Sequence, residues 1–241
     1  MNTTIQAIST AGLAISFVPA VLVVAILYRW CSTGGDAIYA LVRMLIQLLL
    51  IGFVLVYIFA AENAWLILGV LSVMLVAASW IAMRPLRKKR PGLYLHAGVA
   101  ILAGGGATLA LVTQLVLDLQ PWFMPQYVVP LAGMIFANSM NAVSLAGERF
   151  ESDLAGGKDP DGCRAAALQA AMIPVINSLF AVGIVALPGM MTGQILSGVS
   201  PFIAAKYQIV VMCMIFGSAG LSAAIYLFMT EAMPPEDAAT A

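Results

Sequence analysis

The sequence predicts an all-α, polytopic membrane protein of about seven transmembrane helices. The N-terminus is expected outside and the C-terminus in the cytoplasm. Three observations carry this expectation. First, of 241 residues 62% are hydrophobic and 9% charged, whereas a soluble domain carries roughly 25% charged and 45–50% apolar residues. Second, seven stretches approach the ~20 apolar residues that cross a bilayer. Third, the basic residues gather at alternate loops. So little charge excludes an ordinary water-facing enzyme. Eleven basic residues cancel eleven acidic ones, so no net field attracts nucleic acid.

The spans are expected near 11–28, 38–60, 64–83, 95–117, 122–145, 166–187 and 205–229, as one membrane domain over 1–241. The first follows MNTTIQAIST, which lacks the Lys or Arg of a signal-peptide n-region, so it is expected to stay in the mature protein. Arg29 ends this span and Arg43 lies one to two turns inside the second. Behind the third comes RPLRKKR, read as an anchor to anionic headgroups. The fourth contains AGGGAT, Ala103–Thr108, where small residues favour close helix packing or form a hinge. Arg149, Lys158 and Arg164 follow the fifth span, and Lys206 alone marks the opposite side. Loops one, three and five therefore face the cytoplasm. Before the seventh span, Pro188–Pro201 (PGMMTGQILSGVSP) is too short to cross, and reads as an outer loop or a re-entrant segment.

Several chemistries are missing. GGKDP at 156–160 lacks the first Gly and the hydroxyl residue of a phosphate-cradling Walker loop. His96 is the single histidine, so no His-based dyad or metal cluster can form. The odd, scattered Cys31, Cys163 and Cys213 give no disulfide framework. The seventh span has no central Lys for a retinal Schiff base.

Polar groups inside spans are functional candidates because the bilayer makes them costly. Arg43 and Gln47, four apart, share one face of the second span. Arg43 reads as a snorkelling anchor or a pathway residue. Asn138, Asn141 and Ser144 form a stripe on the fifth span, and Asn177 follows Pro174 in the sixth. These groups are interhelical hydrogen-bond glue or the lining of a transport path. Met190, Met191 and Gln194 lie at the outer end of the sixth span; thioethers are apolar filler or soft-metal donors. No span has a central carboxylate for ion coupling, which disfavours a proton- or sodium-driven carrier over an ATP-driven transporter.

The fifth loop holds five of the eleven acids, between Glu148 and Asp161. It is expected to extend span five as a polar helix, break at Gly156-Gly157 and Pro160, and restart as an Ala-rich helix. Such an element is a connector or a docking site for a soluble partner.

The stretches VPLAGMIFANSMNAVSLAGERF and LPGMMTGQILSG (Leu187–Gly198), with Arg43, Gln47 and Leu48 of RMLIQLLLIG, closely resemble the FetB-like family of ABC transporter permeases. That family includes bacterial iron-export permeases and plant relatives linked to aluminium tolerance. The resemblance implies a permease subunit of an ATP-driven exporter of iron or another metal ion, in the cytoplasmic (inner) membrane. It implies a cytosolic ABC ATPase partner that holds the ATP and Mg, no cofactor in this chain, and a second copy of the chain. The loop at 147–165 would be the coupling segment, with Glu148, Arg149, Glu151, Asp153 and Arg164 meeting the ATPase. Arg43, Gln47, Asn138, Asn141, Asn177, Met190, Met191 and Gln194 would line or gate the path. The alternative is an ATP-independent small-solute channel or carrier.

Overall fold

The computed structural model describes residues 8–31, 33–60, 62–86 and 91–231. The chain runs α1 (Thr10–Ile15), α2 (Val18–Trp30), α3 (Gly34–Phe59), α4 (Ala64–Ala82), α5 (Pro91–Ala100), α6 (Ala107–Leu111), α7 (Pro125–Ala155), α8 (Pro160–Ala181), α9 (Gly189–Leu196) and α10 (Pro201–Glu231). Two π-helical segments, Ile101–Gly106 and Val112–Val116, flank α6 and merge with α5 into one rod. No strand forms among the described residues. Seven helical stretches are long and apolar enough to cross a membrane, as the sequence predicts. Of the basic cluster, Arg87–Arg90 lie outside the described residues.

The chain divides into two compact units, 1–60 and 61–241. In the first, Ser9 caps α1 by accepting from the Gly12 amide at 3.1 Å. Pro19 lies in the first turn of α2, where its missing N–H costs nothing. Gly34 lets the start of α3 pass the Tyr28 ring, which a Cβ there would strike.

In the second unit the core is a seam of small residues. Ala142 and Ala146 on α7, Cys163, Ala167 and Ala171 on α8, and Ala219 and Ala223 on α10 are all buried together. The four-residue spacing puts each set on one helix face. Small side chains let the three backbones approach, the main source of packing energy where lipid is as apolar as the core. Phe150, Met172, Val175 and Leu227 fill the remaining space. The Ser139 hydroxyl, fully buried, donates to the Ser218 carbonyl at 3.2 Å and ties α7 to α10.

The glycine run of the fourth span is a packing device. A Cβ on Gly104 would lie 2.6 Å from the Ser222 amide nitrogen on α10, and one on Gly105 2.8 Å from Ile135 on α7. Both glycines sit in the π-helical turn Ile101–Gly106.

At 31 residues, α7 is about 46 Å long by the 1.5 Å rise, and exceeds the ~30 Å hydrocarbon core. Its surplus is the polar stretch after Gly147. Gly156 ends it, Gly157 turns with φ of 79°, and Asp159 caps α8 by accepting from the Gly162 amide at 2.7 Å. Pro160 then occupies the first position of α8. The expected break at Gly156-Gly157 and Pro160 is therefore present, and the loop is a tight helical hairpin.

The sixth span lies about six residues earlier than expected, at the same length of 22 residues. Helix α8 ends at Ala181 rather than near 187. Gly183, with φ of 83°, reverses the chain, and its amide donates to Ala186 at 2.9 Å. Pro174 stays inside α8 without ending it. The Pro188–Pro201 stretch folds as the short helix α9, which packs against α10. Gly198, with φ of 93°, turns the chain into α10.

Candidate functional site: a neutral polar cavity

Helices α7, α8 and α10 part from one another beside the small-residue seam and enclose a cavity of about 310 Å³. From α7, Met134, Asn138, Asn141 and Ala142 line it, one helix face at spacings of three and four. The face of α8 is Ala171, Pro174, Val175 and Ser178, and that of α10 is Gln208, Val211, Met212 and Ile215. Pro188, Gly189 and Met190, at the start of α9, complete the wall. Every lining side chain is neutral.

The polar groups are held in different ways. The Asn138 amide nitrogen donates to the Met134 carbonyl one turn back at 2.8 Å, so its oxygen is the acceptor left to the cavity. Asn141 is exposed toward the open space. Gln208 is 6% exposed, and its Oε1 is buried with no hydrogen-bond partner. A buried acceptor without a partner forfeits about 1–3 kcal/mol. The donors gathered here are amide oxygens and the thioethers of Met134, Met190 and Met212. Among the described residues no three of His, Cys, Asp and Glu come together as a metal cage.

Of the candidates read from sequence, Asn138, Asn141 and Met190 meet at this cavity. Asn177 is exposed on α8 and lies outside the lining; Ser178, one position on, takes its place. Met191 and Gln194 are half-buried on α9 beyond the wall, and the buried Oε1 of Gln194 has no partner. Arg43 and Gln47 sit one turn apart on α3 of the first unit, Arg43 half-buried and Gln47 exposed. His96 is half-buried on α5 with an unpartnered Nδ1.

Sequence reasoning missed Gln208. It falls at the edge of an apolar run, with no second polar residue at helical spacing to form a stripe. The available signal was a lone amide inside a span, which is a candidate in its own right.

The hairpin at 147–165 carries its charge in an ordered way. Asp153, in the polar turns beyond the fifth span, is 7% exposed. It accepts from Lys158 Nζ at 2.7 Å and from Arg149 Nε at 2.9 Å. The Lys158 bond first, and then Arg149, hold its carboxyl below the usual carboxylate range. This clamp ties the last turn of α7 to the Gly157 turn. Arg164 pairs with Asp161 in the first turns of α8. Glu148 is exposed and Glu151 half-buried on α7.

The model of the uncharacterised protein family UPF0014 matches residues 8–160 and 161–233. The chain belongs to the UPF0014 family. Both the cavity and the hairpin lie within the matched residues. Among UPF0014 relatives and their kin, the probable iron export permease protein FetB of Escherichia coli is 36% identical over 81% of this chain and 80% of its own. The protein ALUMINUM SENSITIVE 3 of Arabidopsis thaliana is 37% identical over 79% of this chain and 74% of its own. A UPF0014 membrane protein of Synechocystis is 36% identical over 78% and 80%. No solved structure matches the chain.

Proposed function

We propose that this UPF0014 chain is the membrane permease subunit of an ATP-driven exporter whose cargo is a metal ion, iron first. The observation that carries this reading is the cavity with neutral oxygen and sulfur donors, in a chain 36% identical to a probable iron export permease. Asn138, Asn141 and Met190 line the path. Arg43, Gln47, Met191 and Gln194 have gating or structural roles outside the cavity wall, and Asn177, exposed on α8 off that wall, takes no part in handling cargo. The sequence has no Walker loop, so ATP and Mg are bound by a separate cytosolic ABC ATPase. Two copies of the permease then combine with two such subunits.

By the distribution of Lys and Arg, the 147–165 hairpin faces the cytoplasm of a multi-pass protein in the cytoplasmic membrane. Its tight turn and the Asp153 clamp support a role as the element that takes up motion from the ATPase. Glu148, Arg149, Glu151 and Arg164 are the contacts there.

The test is co-purification. Tagged permease, extracted from its native cells, is expected to retain an ATPase subunit whose ATP turnover rises when the permease is present. A chain that purifies without any ATP-hydrolysing partner, and transports without ATP, overturns the reading in favour of a channel or carrier.

A further inference from the structure

Helix α4 carries a second concavity, away from the cavity and the hairpin. One face of the helix, with Ile67, Ala78, Ser79 and Ala82, is buried, and α4 packs against α7. On the outward side lies a trough of about 450 Å³ lined by Ser72, Val73, Val76, Ala77 and Trp80. The Ser72 hydroxyl is spent on the Leu68 carbonyl one turn back, at 2.8 Å. The trough therefore offers hydrocarbon and the indole of Trp80.

Its two ends differ. Ser72 and Val73 stand at the middle of the 19 residues of α4, so the trough occupies one half of the span. From Ser72 to Trp80 it runs about 12 Å at 1.5 Å per residue, within the ~15 Å depth of one leaflet, half of the hydrocarbon core. Trp80 stands at the outer limit of that leaflet, where indoles favour the headgroup level. One turn further comes Arg84, exposed, whose amide donates to the Ile81 carbonyl at 3.1 Å as the helix ends. The sequence from Arg84 to Arg90 holds five basic residues in seven and no acid.

We propose that this trough is a binding site for one anionic phospholipid of the leaflet on the basic side. An acyl chain lies along Val73, Val76 and Ala77 beside the Trp80 ring, and the headgroup phosphate meets Arg84. The occupant follows from the chemistry of the two ends. A protein helix has no hydrophobic drive to enter the trough, because lipid is as apolar as the helix it would replace. Ser72 has no donor left to recruit one. A lipid chain needs no hydrogen bond, and its depth matches. The basic run then selects an anionic headgroup over a zwitterionic one. The site stands whatever the cargo of the transporter is.

The experiment uses the indole in the trough as its reporter. The chain has four tryptophans, and Trp80 is 45% exposed, within reach of a quencher. Trp30→Phe, Trp65→Phe and Trp122→Phe together leave Trp80 alone. The full chain is placed in phosphatidylcholine bilayers with rising phosphatidylglycerol, and bromine is carried on the chains of one lipid class at a time. Phosphatidylglycerol is expected to bind at Trp80 about fivefold more tightly than phosphatidylcholine at low salt. Arg84→Gln is expected to bring the ratio near one, a fivefold loss that corresponds to ~1 kcal/mol per basic residue at the surface. Ser72→Phe, which fills the trough and leaves Arg84, is expected to do the same. A chain keeping only Trp65, exposed at the opposite end of α4, is expected to show no preference. If the chain with a single Trp does not fold, the difference between wild type and Trp80→Phe gives the same reading.

Equal quenching of Trp80 by both lipids marks an ordinary lipid-facing surface and overturns the proposal. Quenching by neither lipid means that protein covers the trough, as a second copy of the chain would, and also overturns it. A preference that survives Ser72→Phe belongs to the field of the basic run and not to the trough. A ratio unchanged by Arg84→Gln removes Arg84 as the headgroup contact.

Discussion

The packing account is most exposed at Gly104. A methyl group there would lie 2.6 Å from the Ser222 amide nitrogen, 2.7 Å from the Ser222 hydroxyl and 3.1 Å from the Leu221 carbonyl carbon. Two of these three atoms are backbone of α10, which no rotamer change can remove. The Gly104→Ala variant must therefore push α10 away from the fourth span. Overpacking of this kind costs typically 1–3 kcal/mol. Against it, alanine returns about 0.5–1 kcal/mol of helical backbone entropy. The net expectation is a loss of about 1–2 kcal/mol. Gly217, on α10, supplies the internal standard. A Cβ there meets nothing within 4 Å, so Gly217→Ala should gain up to ~1 kcal/mol. The two alanine variants then differ by about 2–3 kcal/mol. For a chain of this length roughly 2–4 °C in Tm accompany each kcal/mol. Thermal unfolding of both variants in the same lipid nanodiscs reads the difference. Equal melting temperatures would refute the packing role of Gly104 and favour a hinge, in which a methyl group is harmless to the resting state.

Other predictions bear on the cavity and the hairpin. Asn138→Ala and Asn141→Ala are expected to raise the KM for metal in vesicle transport about tenfold, while Asn177→Ala leaves it unchanged. A loss with Asn177→Ala equal to the other two would contradict the cavity's placement. Ser139→Ala removes the bond to Ser218 and should cost about 0.6–1.5 kcal/mol in unfolding, as for other interhelical hydrogen bonds in membranes. Asp153→Asn strips the charge from the clamp. Amide exchange across 154–159 is expected to accelerate, with ATPase stimulation falling while the Tm stays near the wild type. Unaltered exchange would show that Gly157 and Pro160 alone hold the turn.

Much of the architecture was readable in the residues. The seven spans follow from hydropathy, because a bilayer-crossing helix must be long and apolar wherever it packs. The hairpin was readable because Gly156, Gly157 and Pro160 act through backbone chemistry that neighbours cannot override. The end of the sixth span was not. Val182–Leu187 is as apolar as a helix, and only Gly183 marks the reversal.

The site was half legible for a geometric reason. Asn138 and Asn141 are 60° apart around α7, so one cavity takes both. On α8 the lining face is set by Ala171, Pro174, Val175 and Ser178, and Asn177 falls about 100° away from Ser178. Sequence cannot tell which face of an evenly apolar helix turns inward. The same ambiguity hid Gln208, whose burial at the cavity wall only packing reveals.

The most direct test of the account is flux. Inside-out vesicles containing the chain and its ATPase are loaded with Mg-ATP outside and given radiolabelled Fe²⁺. The account predicts saturable, ATP-dependent accumulation that is lost with a hydrolysis-deficient ATPase and weakened in Asn138→Ala. Accumulation that ignores ATP and merely follows the iron gradient would contradict it.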